Sequence, residues 1–195
     1  MSQVPIKVIS SNSGSIRVTN TSGQLLFTRL ITRGQPQMGE QTPVQNNITM
    51  DVVYKTMKDA PLNPNAIEQG TDFKVEVTIS NPGLRGNYDQ LALSQVFPSG
   101  WEIHNTRMDG NQTANKYTVP RYQDIRDDRV YTYFNLNAKT KSTFVILLNA
   151  SYLGKFYLPG FSCDAMYNGQ ISAQTGSLWV EVIPKLGKRL AASNK

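Results

Sequence analysis

One cysteine and one histidine stand in a chain of 195 residues. A single cysteine excludes a disulfide within the chain. One Cys and one His leave a protein-only zinc site short of ligands. No apolar run approaches the roughly 20 residues that cross a bilayer. Met1-Ser2-Gln3-Val4-Pro5 lacks a basic-then-apolar leader, so a secreted parent would carry its leader elsewhere. No segment shows helical periodicity, and no G-x-S-x-G elbow is present. Without a helix, no glycine-rich loop can aim phosphate at a helix N-terminus.

Charge is also less one-sided than it looks. The net charge is +6. Lys185, Lys188, Arg189 and Lys195 supply four of those charges at the C-terminus, with no acid among them. A nucleic-acid domain carries its basic stripe on the folded part. Here it sits in a tail with no apolar pattern, which reads as flexible and solvated.

What the chain does have is alternation. Ile48–Met57 reads as a strand, with Met50, Val52 and Tyr54 on one face. Asp72–Ser80 is the clearest case. Phe73, Val75, Val77 and Ile79 share one face, and Lys74, Glu76 and Thr78 the other, wet one. Tyr88–Phe97, Trp101–His104, Arg121–Ile125 and Val130–Leu136 continue the series. Ser142–Tyr152 has a continuous Phe144–Leu148 centre, as in a strand buried on both faces. Asp109–Lys116 reads as a loop and Pro61–Gly70 as a turn-rich connection. Gly34–Asn47, rich in Gly, Pro, Gln and Asn, reads as a linker. Ahead of it, Ile6–Val8, Ser15–Asn20 and Gln24–Ile31 read as three short strands, with a turn at Asn20-Thr21-Ser22-Gly23. They are too few for a core of their own.

The stretch from Tyr152 to Ile183 organises the C-terminal part. Pro159-Gly160 interrupts its first strand, and Phe161–Tyr167 resumes the extended pattern. Asn168-Gly169 predicts a tight hairpin turn. After a short loop, Ser177–Ile183 alternates, with Leu178, Val180 and Val182 facing one way. Strands at this spacing predict an all-β fold, an antiparallel β-sandwich of the fibronectin/immunoglobulin-like kind. A domain of this size buries roughly 70% of its unfolded surface, so its core needs no staples. Phe73, Val75, Val77, Phe144, Ile146 and Leu148 are the predicted core. Cys163, in a strand beside Phe161, is predicted to be a small core hydrophobe.

Few residues suggest chemistry. His104 beside Trp101 would have to serve any triad and has no partner pattern. Asp127 and Asp128 are flanked by Arg126 and Arg129. This reads as a structural turn held by local ion pairs rather than as an acid–base pair, and such exposed pairs contribute little each. Met166 and Tyr167 stand just before the predicted turn. A flexible apolar chain and an aromatic at a hairpin tip suit covering a partner, or else pack on the next strand.

Three motifs then come in order: Phe97-Pro98-Ser99-Gly100-Trp101-Glu102-Ile103; Asp124 to Arg129; and the run Gly154, Phe156, Leu158, Pro159, Ala165, Met166, Tyr167. Together they resemble the C-terminal macroglobulin-like, MG10-type domain of bacterial alpha-2-macroglobulins over residues 38–184. Residues 1–37 resemble the closing part of a CUB-like module plus linker, and 185–195 form the basic tail. The resemblance implies a non-catalytic module of a broad-range endopeptidase inhibitor. Its partners would be the thioester and neighbouring macroglobulin domains and, through the parent, proteases. Neither nucleic acid nor direct membrane contact is implied, nor any cofactor or metal. It implies a periplasmic or cell-envelope setting, the parent being a lipoprotein. It also implies that Met166 and Tyr167 lie against the thioester and keep water from it. The chain itself lacks Cys-x-Glu-Gln, since Cys163 is followed by Asp-Ala-Met. The alternative is an adhesion or carbohydrate-binding sandwich, which would need an exposed aromatic platform; Trp101 is its candidate.

Overall fold

A computed structural model describes residues 17–29, 41–104 and 117–185. The chain divides into two compact units, Met1–Gln35 and Pro36–Lys195. The expected strand at Ile6–Val8, the Asp109–Lys116 loop and the tail from Leu186 lie outside the described residues.

In the first unit, residues 17–29 contain no strand and are exposed throughout. The expected strands Ser15–Asn20 and Gln24–Ile31 are therefore not formed over their described parts. No neighbour pairs with them among the described residues, and short unpaired strands have nothing to hold them. The turn between them is real. Asn20 Oδ1 accepts from Ser22 N–H at 3.0 Å, Asn20 Nδ2 donates to Gln24 C=O, and Gly23 takes φ 68°.

The second unit is all β. Its strands are β1 (Val44–Asn46), β2 (Thr49–Thr56), β3 (Ala66–Glu68), β4 (Asp72–Ser80), β5 (Tyr88–Val96), β6 (Trp101–His104) and β7 (Tyr122–Ile125). They continue as β8 (Arg129–Leu136), β9 (Lys141–Ala150), β10 (Gly154–Leu158), β11 (Ser162–Ala165), β12 (Asn168–Gln174) and β13 (Leu178–Ile183). A six-stranded sheet runs β1-β12-β11-β5-β8-β7, a four-stranded one β2-β4-β9-β6, and a three-stranded one β10-β13-β3. All pairs are antiparallel except β13 with β3.

The core follows from the alternation. Phe73↔Leu148, Val75↔Ile146 and Val77↔Phe144 are directly opposed across β4 and β9, and all six are buried. Phe144 meets Phe134 of β8 at a ring separation of 4.6 Å, which stitches the four-stranded sheet to the six-stranded one. The sandwich class read from the sequence is the one adopted. β9 alternates rather than being buried on both faces, with Val145 and Leu147 only half-buried.

Three strands were not legible. β1 lies within the expected linker and pairs with β12 by backbone alone, its side chains all exposed. β3 lies in the expected turn-rich connection and buries only Ile67. β12 occupies residues read as turn and loop. The wet face of β4 is also drier than expected, because Lys74 and Glu76 are buried. Tyr117 reaches over them: its hydroxyl donates to Glu76 Oε1 at 2.6 Å and accepts from Lys74 Nζ at 3.3 Å. Lys55 Nζ binds Glu76 Oε2 at 2.5 Å, and Asp59 binds Lys74.

Candidate functional site

The β11–β12 hairpin carries the candidate site. Ala165 pairs with Asn168, so the two-residue turn is Met166-Tyr167 itself. The sequence places the turn two residues later, at Asn168-Gly169. The difference has a clear cause. Neither Asn168 nor Gly169 takes positive φ, which is the property that makes Asn-Gly a turn signal. Asn168 instead begins β12, and its Oδ1 accepts from Gln170 N–H at 3.1 Å. An irregularity in register between Asp164 and Ala165 absorbs the shift.

The turn is anchored through its backbone and free in its side chains. Met166 N–H donates to Gln90 C=O at 3.1 Å. Gln90 sits in an irregularity of β5 between Tyr88 and Leu91 and has φ 54°, uncommon for a side-chain-bearing residue. Its own N–H is held by Asn135 Oδ1 at 3.0 Å. Below the tip, Cys163 and Ala165 are buried. Above it, Met166 is 55% exposed and Tyr167 83% exposed. Gln90 is the positioning residue that sequence reading missed, since a polar residue in a strand gives no signal of positive φ.

The Arg126–Arg129 turn joins β7 to β8. Arg129 grips Asp128 through two contacts, Nε to Oδ1 at 2.8 Å and a terminal nitrogen to Oδ2 at 2.6 Å. That grip holds the Asp128 carboxyl below its ordinary range and raises the Arg129 pKa. Arg126 pairs with Asp124, at 3.0 Å, rather than within the turn. Asp127 is in no ion pair among the described residues. Arg126 N–H donates to Arg129 C=O at 2.9 Å and closes the turn.

The remaining candidates do not assemble into catalytic machinery. His104 Nε2 lies 3.3 Å from Asp72 Oδ1 at an exposed site, with no nucleophile described beside the pair. Cys163 is buried, and burial, helped by the Asp164 charge, pushes its thiol up to about 12. It is a core side chain. Trp101 is 3% exposed and packs edge-on against Phe73 at 4.9 Å. It therefore cannot be the exposed platform that the adhesion reading needs. Among the described residues, no three of His, Cys, Asp and Glu cluster as a metal site requires.

The family model for the bacterial alpha-2-macroglobulin MG10 domain matches residues 33–170. The structure resembles Salmonella alpha-2-macroglobulin reacted with methylamine, with a TM-score of 0.67 and 20% identity over 77% of this chain and 10% of that one. It also resembles Escherichia coli alpha-2-macroglobulin activated by porcine elastase, with a TM-score of 0.66 and 18% identity over 77% of this chain and 14% of that one. Circularly permutated Ras protein 2 of Dictyostelium discoideum is 30% identical over 107 residues, 55% of this chain and 3% of that protein. The chain thus spans a small fraction of each of these relatives. With the family matched over most of the sandwich, the chain belongs to the bacterial alpha-2-macroglobulin MG10 domains.

Proposed function

We propose that this chain is a non-catalytic module of a protease-trapping inhibitor, and that Met166 and Tyr167 shield a reactive thioester held by a neighbouring domain. The observation that carries the reading is the hairpin tip. Two large side chains stand exposed side by side on a turn whose backbone is tied to β5. A thioester survives in water only where water is kept from its carbonyl, and apolar side chains on a rigid support can close such a site. The Salmonella relative was reacted with methylamine and the E. coli relative was activated by elastase. An amine-reactive group and a response to proteases are what this reading requires of the parent here. Residues 38–184 act as the macroglobulin module, preceded by the closing part of a CUB-like module in 1–37 and followed by a basic tail from 185. The parent works in the periplasm or cell envelope as a lipoprotein, and this module touches neither nucleic acid nor membrane.

The test is made on the full-length parent. Methylamine uptake and free-thiol release are followed over time for Tyr167→Ala and Met166→Ala against the unaltered protein. Faster thioester loss with an unchanged melting temperature is the expected result. Equal rates in all three would overturn the shield.

A further inference from the structure

Asn168-Gly169 is the one Asn-Gly pair in the sequence, and the turn it signals is made two residues earlier. The structure leaves the pair as a loosely held, open peptide. The register of β12 on β11 passes from Ala165↔Asn168 directly to Asp164↔Ser172. Gly169, Gln170 and Ile171 therefore have no partner residue on β11, as in a bulge. On the other flank, the pairing with β1 reaches no further than Ser172. Asn168, Gly169 and Gln170 are all exposed. Nothing lies within 4 Å of the place a Gly169 side chain would occupy.

The Asn168 carboxamide is set up as an electrophile. Its Oδ1 accepts from Gln170 N–H at 3.1 Å, which folds the side chain back along its own main chain. That donor also sits where negative charge gathers when Cγ is attacked, and a fixed backbone N–H there stabilises the tetrahedral species. Gln170 is fixed from two sides. Its C=O accepts from Asn47 Nδ2 at 2.6 Å, and its Oε1 accepts from Arg85 Nη1 at 2.5 Å. The leaving nitrogen, Asn168 Nδ2, makes no hydrogen bond among the described residues. The nucleophile is the Gly169 backbone nitrogen, next along the chain, with no side chain to screen it. Asn149-Ala150 is the opposite case. It lies in the unbroken ladder of β9, and Ala150 is buried with its N–H donating to Thr71 C=O at 3.0 Å.

We propose that Asn168-Gly169 is a self-modification site, at which the chain deamidates through a succinimide and the isoaspartate formed there releases the hairpin tip with age. The Gly169 nitrogen gives its proton to hydroxide and bonds to Asn168 Cγ. The Cγ–Nδ2 bond then breaks, and Nδ2 takes a proton from water and leaves as ammonia. A second water opens the ring. Breaking the bond between Cγ and the Gly169 nitrogen gives aspartate. Breaking the bond between the residue-168 carbonyl carbon and that nitrogen leaves the main chain running through Cγ, which is isoaspartate. In sum, water is consumed and ammonia released, and nothing is oxidised or reduced. Isoaspartate lengthens the main chain by one carbon between residues 168 and 169. The oxygen that held Gln170 N–H becomes a main-chain carbonyl, so that bond is lost. The Ala165↔Asn168 pair that closes the Met166-Tyr167 turn is put out of step. A negative charge also enters beside the tip. This chemistry uses neither tip side chain and stands whether or not the shield does.

The test incubates the whole 195-residue chain at neutral pH beside a synthetic peptide of residues 165–173, and follows both by mass spectrometry. The fragment holding Asn168 is expected to gain one dalton at least as fast in the folded chain as in the peptide. Isoaspartyl methyltransferase should label that fragment, while Asn149 stays unmodified. Gln170→Pro removes the N–H at Oδ1 and should slow the folded chain at least tenfold relative to its own peptide. Arg85→Ala, remote from the reacting atoms, frees Gln170 and should slow it to a smaller extent. In the aged chain the Met166 amide, bonded to Gln90 C=O, should exchange at least tenfold faster. Fresh Asn168→Asp has the charge without the extra carbon and should leave that exchange unchanged. A folded chain that deamidates more slowly than the peptide overturns the site, since the fold then protects Asn168. An isoaspartate-bearing chain with unchanged exchange at Met166 overturns the release of the tip.

Discussion

The six-stranded sheet ends in two hairpin tips that are built in opposite ways. The β7–β8 tip lies beside Val96 and Phe97, at one end of β5; the β11–β12 tip lies beside Gln90, at the other. The first spends its side chains on itself, Arg129 on Asp128 and Arg126 on Asp124. The second spends neither of its two turn side chains: Asn168 Oδ1 accepts from Gln170 N–H, Gln90 C=O accepts from Met166 N–H, and Met166 and Tyr167 are left exposed. A turn can therefore be fixed by its side chains or by its backbone. Only the second way leaves the side chains available to another surface.

The comparison requires a rigid base under both tips, and the largest expected effect tests that base. Phe144→Ala removes a buried ring packed on Phe134 between the two sheets. It should cost about 3–5 kcal/mol in denaturant unfolding. No loss would mean that the layers are not held where both tips need them.

A smaller effect is expected at the covered face of β4. Tyr117→Phe removes the hydroxyl shared by Glu76 and Lys74 and should cost about 1.5–3 kcal/mol, the scale of a hydrogen bond to a charged group. Burial opposes the Glu76 charge, but hydrogen bonds from Lys55 and Tyr117 outweigh it and leave its pKa below the ordinary 4.5. Its contribution is therefore complete above 4.5 and is lost as pH falls through the lower folded value. Burial likewise opposes the Lys74 charge, and its bonds to Asp59 and Tyr117 outweigh it, raising its pKa above 10.5. That contribution is present below 10.5 and is lost as pH rises through the folded value. Melting temperatures of Tyr117→Phe and the unaltered chain should differ most between these limits and converge outside them.

The tips themselves come last. Arg129→Ala should lower the melting temperature slightly at low salt and hardly at all at high salt, since the pair is exposed and screened. Met166→Ala and Tyr167→Ala should stay within about 0.5 kcal/mol of the unaltered chain. A clear destabilisation by either would break the contrast, by showing that these side chains support their own fold.

What could be read from the sequence was whatever side-chain alternation records. β4, β8, β9 and β13 each bury an apolar face, so Phe73, Phe144 and Val180 announce themselves. β1 was illegible because its three side chains are all exposed and only its main chain is at work. β3 was illegible because one buried isoleucine makes no pattern. The drier face of β4 needed Tyr117, 41 residues from Glu76 along the chain, which no local window contains. At the candidate site the residues were legible and the geometry was not. Asn168-Gly169 marks a turn by propensity, but the irregularity in β11 and the bond from Met166 N–H to Gln90 C=O go with a turn two residues back. Local preference lost there to a tertiary contact.

The parallel pairing of β13 with β3 has a consequence for synthesis. Val182 lies opposite Ile67, and both are buried. During translation Ile67 leaves the ribosome long before its partner exists, and residues 154–158 wait for β13 as well. The nascent sandwich therefore presents an apolar flank until Ile183 has emerged. Ordering of such distant pieces is slow, and exposed strand edges are prone to associate in the interval. A chain that stops before Leu178 should be a client of chaperones rather than a shorter stable domain.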